Sequence, residues 1–364
     1  MWPLDLISDF AKKKQQNLGP GFDIFGLALR SNPTATSRFS AYLEVQIERL
    51  SRENIVSPEC RIICEGEGAE SLSCGFEENL ITKVALYVLR CHSLGTSTLS
   101  HYRIRAICGI PQSRGLGSSA AAVIAGVMLG NEVGQLNLSK ARMFDYCLMI
   151  ERHPDNIGAA LFGGFVGTSM RPLDLEERAR METPPSEPSE VFSDGFKNLG
   201  NSPLGVGRYH HFRLNADIKT VVVVPDFRLN TVDARARLPK TYTREDVIFN
   251  AQRCALLPAL LGQSTLDTAK ISDAMQDKLH QPYRAALIPG FTEVLKDLTP
   301  KTYPGLLGVS LSGAGPSIVA LATLNFELIA NAIITKWHYL AIMSTVVPRQ
   351  EDLRALIERC VVEN

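Results

Sequence analysis

One segment of this 364-residue chain constrains its fold more than any other: residues 111–121, which read Pro-Gln-Ser-Arg-Gly-Leu-Gly-Ser-Ser-Ala-Ala. An alternating apolar and polar stretch at 102–107 precedes it and predicts a strand, and the small, apolar residues 120–130 that follow predict a buried helix. Free backbone N–H groups at a helix N-terminus bind anions, and the helix dipole strengthens the attraction. The segment therefore predicts a phosphate-binding loop.

The predicted donors of this loop are the backbone amides of Ser118, Ser119 and Ala120, with Gly115 and Gly117 permitting close backbone approach. The loop is not a Walker A motif, because no Gly-Lys-Ser/Thr follows it, and its glycine spacing does not match a dinucleotide fingerprint. The alternative interpretation is a capped helix start that binds no ligand, and the loop sequence alone does not exclude it.

Composition excludes several classes of partner. Lys plus Arg equals Asp plus Glu at 38 each, so charge offers no argument for a nucleic-acid or membrane partner. No apolar run reaches the roughly 18 residues of a membrane span, and the N-terminus lacks the pattern of a signal peptide. The eight cysteines are scattered without a Cys-x-x-Cys pair, which is typical of reduced thiols. We therefore expect a cytoplasmic protein.

Strand and helix patterns are mixed without strict βαβ alternation, which favours an α+β fold over a doubly wound sheet. Strands are predicted at 44–47, 102–107, 220–225, 308–312 and 317–323. Helices are predicted at 78–89, 120–130, 140–150, 244–261, 268–278 and 326–338. Proline, glycine and serine become frequent over about 171–207, which indicates a surface insertion. We predict two domains, 1–207 and 208–364.

Three segments in order resemble the three motifs of the GHMP kinases. Residues 17–29 (Asn-Leu-Gly-Pro-Gly-Phe-Asp-Ile-Phe-Gly-Leu-Ala-Leu) resemble the first, 111–121 the second, and 311–317 (Leu-Ser-Gly-Ala-Gly-Pro-Ser) the third. The resemblance implies the two-domain GHMP kinase fold, with an N-terminal α/β domain like that of a ribosomal protein and a ferredoxin-like α+β C-terminal domain. It also implies ATP as the phosphoryl donor.

Three further segments are similar to the homoserine-kinase branch of this family: 151–164, 229–239 and 281–290. The proline-rich stretch near 184–205 and residues 246–250 resemble its fungal members in particular. The resemblance implies transfer of a phosphoryl group from ATP to the side-chain hydroxyl of L-homoserine, giving O-phospho-L-homoserine in threonine biosynthesis. Because related enzymes are often dimers, it also implies a homodimer.

Site roles follow from the same resemblance. The ATP site would comprise Asn79, Pro111, Gly115, Leu116, Gly117, Ser118, Ser119, Ala120 and Ala121. Mg²⁺ would be held by oxygens of Ser119 and Glu151, which suit a hard cation. The substrate and catalytic residues would be Asn17, Asp23, His153, Asn156, Thr231, Arg235, Arg284 and Gly313. Among these, Arg235 and Arg284 would clamp the substrate carboxylate, for which the guanidinium fork is geometrically suited.

Each role has a plainer alternative. Glu151 could be a solvated glutamate, His153 a capping or core histidine, Arg284 a surface arginine and Asp155 a residue that only orients a turn. Asn156 occupies the place where other GHMP kinases have a catalytic aspartate, and an amide cannot accept the proton. We therefore expect no dedicated strong base, with the hydroxyl proton leaving to solvent or to the phosphate.

The chain departs from the family pattern before its first motif. Residues 8–16 lack alternation and contain three adjacent lysines, so they predict helix or coil where the family has a strand. Residues 31–37 look like an insertion, and Arg152 stands where the family prefers glycine. Two other functions stay open: a mevalonate-type GHMP kinase, and a catalytically impaired or sensor member of the fold.

Overall fold

A computed structural model describes residues 14–16, 18–31, 42–50, 62–66, 68–175, 203–225, 227–343 and 358–363. Its strands are β1 (Lys14–Gln16), β2 (Phe25–Ser31), β3 (Leu43–Arg49), β4 (Ile62–Gly66), β5 (Tyr102–Cys108), β6 (Phe165–Met170), β7 (Gly207–Phe212), β8 (Lys219–Val224), β9 (Leu306–Leu311), β10 (Ile318–Ala322) and β11 (Glu358–Glu363). Its helices are α1 (Leu80–Cys91), α2 (Thr96–Leu99), α3 (Ser118–Val133), α4 (Lys140–Glu151), α5 (Pro154–Phe162), α6 (Thr231–Ala236), α7 (Arg244–Leu261), α8 (Thr268–Ala274), α9 (Gln281–Arg284), α10 (Phe291–Asp297) and α11 (Phe326–Met343). The predicted α+β class is confirmed.

Two sheets organise these elements. The larger has the order β7-β6-β2-β11-β8-β10-β9, with β1 paired to β2, and its pairings are antiparallel. The smaller has the order β3-β5-β4, in which β5 pairs antiparallel with β3 and parallel with β4. The strand that leads into the predicted phosphate loop is therefore the centre of the smaller sheet.

Helices α1 and α3 pack closely behind that loop. A methyl group on Gly126 of α3 would lie 2.5 Å from the carbonyl oxygen of Ile81 in α1, so only glycine permits this approach. The almost wholly apolar and small sequence of α3 is buried along most of its length, as predicted. Close packing on this scale holds the N-terminus of α3, and the loop before it, in a defined position.

Strands β8 and β10 lie between two hydrophobic clusters. Val222 and Val224 belong to the cluster that includes α1 and α3, whereas Val221 and Val223 pack with residues of α10 and α11. Successive strand residues point to opposite faces, so a run of four valines is buried on both sides. This explains why residues 220–225 indicate a central strand by composition alone.

The predicted helices and strands are confirmed apart from shifts at their ends, with one exception at the N-terminus. Residues 14–16 were expected as helix or coil, but they form β1, with Lys14 opposite Leu29 of β2. That expectation was wrong because pairing with β2 supplies backbone hydrogen bonds that do not depend on an alternating side-chain pattern. Residues 8–13 of the same prediction, and 32–37 of the predicted insertion, lie outside the described residues.

The predicted surface insertion is described only at its two ends, 171–175 and 203–207, and residues 176–202 lie outside the described part. The predicted domain division at residue 207 falls on the first residue of β7, which pairs with β6; the division itself stays a prediction. Within the described ranges, none of the helices combines the length and apolar character that crossing a membrane requires.

Candidate active site

The segment that follows β9 is attached to the loop between β5 and α3 by two side-chain hydrogen bonds. The hydroxyl of Ser312 donates to the carbonyl of Gly115, and the hydroxyl of Ser317 donates to the carbonyl of Arg114 at 2.6 Å. Gly115 takes φ +70°, and a methyl group on it would lie 2.2 Å from the Ser312 carbonyl oxygen. The second and third sequence motifs, about 200 residues apart, therefore form one structure.

The start of α3 presents backbone donors as predicted from the sequence. Gly117, at φ +74°, is the residue before the helix, and the amide of Ala121 donates to its carbonyl at 2.9 Å. The amides of Ser118, Ser119 and Ala120 come before that of Ala121, in the first turn of α3, where backbone N–H groups have no acceptor within the helix. Buried side chains of the loop anchor it below, namely Pro111, Leu116, Ala120 and Ala121.

A hydroxyl and a carboxylate meet beside these amides. Ser119, in the first turn of α3, donates to Oε2 of Glu151 at 3.0 Å, and Oε1 of Glu151 lies 3.7 Å from Nδ1 of His153. The oxygens of Ser119 and Glu151 are hard donors next to a predicted phosphate site. Mg²⁺ prefers such ligands when it also binds phosphate. Within the described residues, no group of three or more His, Cys, Asp or Glu side chains could hold a metal by itself.

Asp23 and Arg235 form a two-pronged ion pair although they are 212 residues apart. Arg235 donates from Nη2 to Oδ1 at 2.8 Å and from Nη1 to Oδ2 at 3.2 Å. Burial raises the pKa of Asp23, but the hydrogen bonds and charge of Arg235 outweigh it and hold that pKa below its usual value. Thr231 lies one turn before Arg235 at the start of α6.

Arg284 is fully buried, with 0% of its surface exposed, so the surface-arginine alternative is wrong. Its Nε donates to the carbonyl of Ala234 at 3.3 Å, and its Nη1 donates to the carbonyl of Gly313 at 3.2 Å. Among the described residues, Nη2 has no hydrogen-bond partner. Burial, then the charge of Arg235, lowers the pKa of Arg284 to about 10. A buried cation with an unused donor is suited to an anionic ligand.

Comparisons with known proteins agree with this arrangement. Residues 79–164 match the family model "GHMP kinases N terminal domain", and residues 256–338 match "GHMP kinases C terminal". The homoserine kinase of Saccharomyces cerevisiae is 45% identical over 331 residues, covering 88% of this chain and 89% of that protein. The homoserine kinase of Schizosaccharomyces pombe is 44% identical over 321 residues, covering 88% of each.

This chain belongs to the GHMP kinase family. A crystal structure of homoserine kinase from Cytophaga hutchinsonii is similar to it with a TM-score of 0.65 and 25% identity, over 93% of this chain and 94% of that one. The GHMP kinase is accordingly an ATP-dependent enzyme with ATP as its co-substrate.

Two predicted site residues of this GHMP kinase stand apart from the rest. Asn79 caps α1: its Oδ1 accepts from the amide of Ile81 at 3.0 Å, and its Nδ2 donates to the carbonyl of Ser73 at 2.9 Å. Its nucleotide role stays a prediction, since the side chain already serves the helix start. Asn17 lies outside the described residues.

Arg152 takes φ +59°, which is the backbone conformation that glycine adopts most easily.

The sequence left the role of Asp155 undecided, and the structure places this side chain beside Asp23. It is 0% exposed, its Oδ2 accepts from the backbone amide of Asp23 at 3.1 Å, and its Oδ1 accepts from that of Asn156 at 2.7 Å. Burial, then the negative charge of Asp23, raises the pKa of Asp155 to about 7. Asp155 thus joins the first motif to the start of α5.

Replacing Asp155 with asparagine is expected to flatten the pH dependence of stability in this GHMP kinase. A folded-state pKa of about 7 exceeds the unfolded value, so the folded form holds the proton more tightly and stability falls as pH rises from about 4 to 7. The free energy of unfolding falls by at most roughly 4 kcal/mol, since each pKa unit between the folded and unfolded states is worth 1.36 kcal/mol. Urea unfolding at pH 5, 6, 7 and 8 would measure it, with the exposed Asp217→Asn as control. The same pH dependence in all three proteins would contradict this account.

Gly115→Ala is expected to disable the loop of the GHMP kinase. The added methyl group would collide with the Ser312 carbonyl and strain a φ of +70°, so the loop must move. A displacement of about 1 Å lowers turnover roughly 10²-fold, and kcat/KM for ATP should fall by that order. Gly95→Ala is the control, because its nearest neighbour would be the Ser97 hydroxyl at 3.8 Å. An unchanged kcat/KM for ATP in Gly115→Ala would mean that this contact does not position the loop.

Sequence reasoning missed Phe22 and His280. The rings of Phe22 and His280 stack with centroids 4.8 Å apart, and Cζ of Arg284 lies 4.0 Å from the centre of the Phe22 ring. Cζ of Arg235 lies 4.9 Å from the same ring. The spacing of His280 four residues before Arg284 was a helical signal that could have indicated their contact.

Proposed function

We propose that this GHMP kinase transfers the γ-phosphoryl group of ATP to the side-chain hydroxyl of L-homoserine. The observation that carries the proposal is the pair of arginines, Arg235 and Arg284, that lie against one ring beside Asp23. Two guanidinium groups suit a carboxylate, and a neighbouring carboxylate suits an ammonium group. An α-amino acid carries both of these charges on adjacent bonds.

Charge balance favours an amino acid over a hydroxy acid such as mevalonate. Without substrate, Asp23 and Arg235 neutralise each other through two hydrogen bonds. A zwitterion can replace that pair completely, because its ammonium group takes Asp23 while its carboxylate takes Arg235 and Arg284. A hydroxy acid would draw Arg235 away and leave Asp23 without a cation, which is costly in a partly buried site.

The substrate cluster adjoins the phosphate loop through contacts of the main chain. Gly313, whose carbonyl accepts from Arg284, follows Ser312, whose hydroxyl donates to Gly115 of the loop. Binding ATP at the loop and an amino acid at the arginines would bring the two reactants together, which is the larger part of catalysis in phosphoryl transfer.

Mg²⁺ is the ion we propose for Ser119 and Glu151, where it would neutralise charge on the phosphates of ATP. The amides at the start of α3 would bind the phosphate oxygens, and Asp23 would hold the substrate. Asn156 is an amide and Asp23 would be occupied by the ammonium group of the substrate, so neither is a ready base. We propose that the hydroxyl proton leaves to solvent or to the transferred phosphate.

We also propose the cellular setting. The product, O-phospho-L-homoserine, would serve threonine biosynthesis in the cytoplasm. The enzyme would act as a homodimer, as its relatives in the family often do.

An ADP-release assay with L-homoserine, with mevalonate and without an acceptor tests the proposal. Homoserine-dependent ADP release, with O-phospho-L-homoserine identified by mass spectrometry, is the expected result. Turnover of mevalonate alone would assign a mevalonate-type kinase. ATP binding without turnover of either compound would assign a sensor or an impaired enzyme.

A further inference from the structure

His280 precedes α9 and is 2% exposed. Its Nε2 lies 2.8 Å from the carbonyl oxygen of Gly19 in the first motif. Since a carbonyl oxygen can only accept, Nε2 carries the hydrogen and donates it. Nδ1 of a neutral ring then has a lone pair, and it lies 3.2 Å from Nη1 of Arg284. The direction of this second hydrogen bond is therefore settled: Arg284 donates and His280 accepts.

The contact completes a three-point attachment of the Arg284 guanidinium. Nε and Nη1 donate to two carbonyls, of Ala234 and Gly313, and Nη1 also donates to His280. Nη2 has no partner among the described residues. Acceptors from three separate chain segments thus fix the plane of the guanidinium and leave one amino group for a ligand.

The ring of Phe22 packs against the flat face of the Arg284 guanidinium. The same ring stacks on His280 and contacts both arginines, with Cζ of Arg284 4.0 Å and Cζ of Arg235 4.9 Å from the ring centre. Attraction to the ring face offsets part of the repulsion between the two cations. Phe22 and Gly19 both belong to the first motif, so this motif holds His280 by its ring face and by its Nε2.

Burial and the neighbouring Arg284 favour a neutral His280 ring, although Oδ2 of Asp277 lies 3.5 Å from Nε2 and opposes them. A protonated ring would direct a second N–H at Arg284, and both groups would be cations. Asp277 accepts the backbone amide of His280 at 3.0 Å and that of Gln281 at 2.7 Å, which anchors the turn. Burial lowers the pKa of His280 and Arg284 lowers it further, against opposing effects of Asp277 and Asp23.

We propose that neutral His280, supported by Phe22, is a positioning residue that directs the free amino group of Arg284 at the carboxylate of the substrate. The inference rests on the proposed function, because the carboxylate is that of homoserine. His280 does not touch the reacting atoms. It acts through Arg284, so its removal should weaken substrate binding more than it slows phosphoryl transfer.

A double-mutant cycle tests this role. His280→Gln keeps a donor for Gly19 but loses the acceptor for Arg284, and we expect it to raise KM for homoserine about 10-fold, the size of one hydrogen bond to a charged group. The values of kcat and of KM for ATP should stay within about 2-fold. In an Arg284→Met background, His280→Gln should change KM for homoserine little further, because its effect passes through Arg284. Equal increases in both backgrounds would overturn the proposal.

His280→Asn provides the matched variant, since its side-chain oxygen can occupy the position of Nδ1 and accept from Arg284. We expect its KM to lie near that of the wild type, and thermal unfolding would show that both variants fold. The same KM for the Gln and Asn variants, or a rise in KM for ATP in both, would reduce His280 to a purely structural residue. Failure of the wild type to turn over homoserine would instead overturn the proposed function, so the two failures are distinguishable.

Discussion

Arg284→Met is expected to lower kcat/KM for homoserine roughly 10²–10⁴-fold, mainly through KM. Loss of a buried charge-assisted hydrogen bond to a carboxylate costs about 2–5 kcal/mol when the other charge is left unpaired. Methionine resembles arginine in length but donates no hydrogen bond, so the substrate carboxylate would depend on Arg235 alone. Steady-state kinetics with homoserine varied at saturating ATP would measure the effect.

Two controls sharpen this experiment. Arg103→Met removes an arginine whose side chain is 59% exposed and paired with Glu48, and such a surface pair contributes little. Arg284→Lys keeps the charge but not the planar fork, so it should restore only part of the activity. If Arg284→Met bound homoserine as the wild type does, Arg284 would be a structural cation and the carboxylate site would lie elsewhere.

Glu151→Gln is expected to lower kcat roughly 10²–10³-fold, the usual loss when one group that stabilises developing charge is removed. Glutamine keeps the volume and can still accept from Ser119, but it is a weaker ligand for a hard cation. The Mg²⁺ concentration that gives half-maximal activity should therefore rise. A titration of activity against Mg²⁺ at fixed ATP would measure both changes.

Glu245→Gln, in the first turn of α7, makes the same chemical change at an exposed position and serves as the control. It should match the wild type at every Mg²⁺ concentration. A Glu151→Gln enzyme with an unaltered Mg²⁺ titration would show that the Ser119 and Glu151 oxygens are a structural pair. The metal would then depend on the phosphates and on other ligands.

Local features were predictable because their causes lie within a few residues. The phosphate loop depends on a strand, two glycines with positive φ and a helix start, and all of these lie between residues 102 and 121. The helix over 244–261 was predicted in full, and its start is set locally, since Thr243 accepts from the amide of Asp246 three residues later.

The environment of Arg284 was not predictable, and neither was the strand at 14–16. Arg284 resembled a residue that could lie on the surface, yet carbonyls of Ala234 and Gly313 and the ring of Phe22 enclose it. These partners lie up to about 260 residues away along the chain. The strand depends likewise on β2, since pairing rather than local pattern provides its hydrogen bonds.

By itself, the sequence determined which chemical groups are available: backbone amides at a glycine-flanked helix start, the oxygens of Ser119 and Glu151, and two arginines with an aspartate. Residue types and short spacings are enough for that, because each motif is built from neighbours along the chain. Only the tertiary structure decided which donors remain unused. Asp23 neutralises Arg235. His280 and two backbone carbonyls accept hydrogen bonds from Arg284, and Nη2 of Arg284 has no partner among the described residues. That selection depends on long-range packing, because a hydrogen-bond donor is free only once every other acceptor around it is in place.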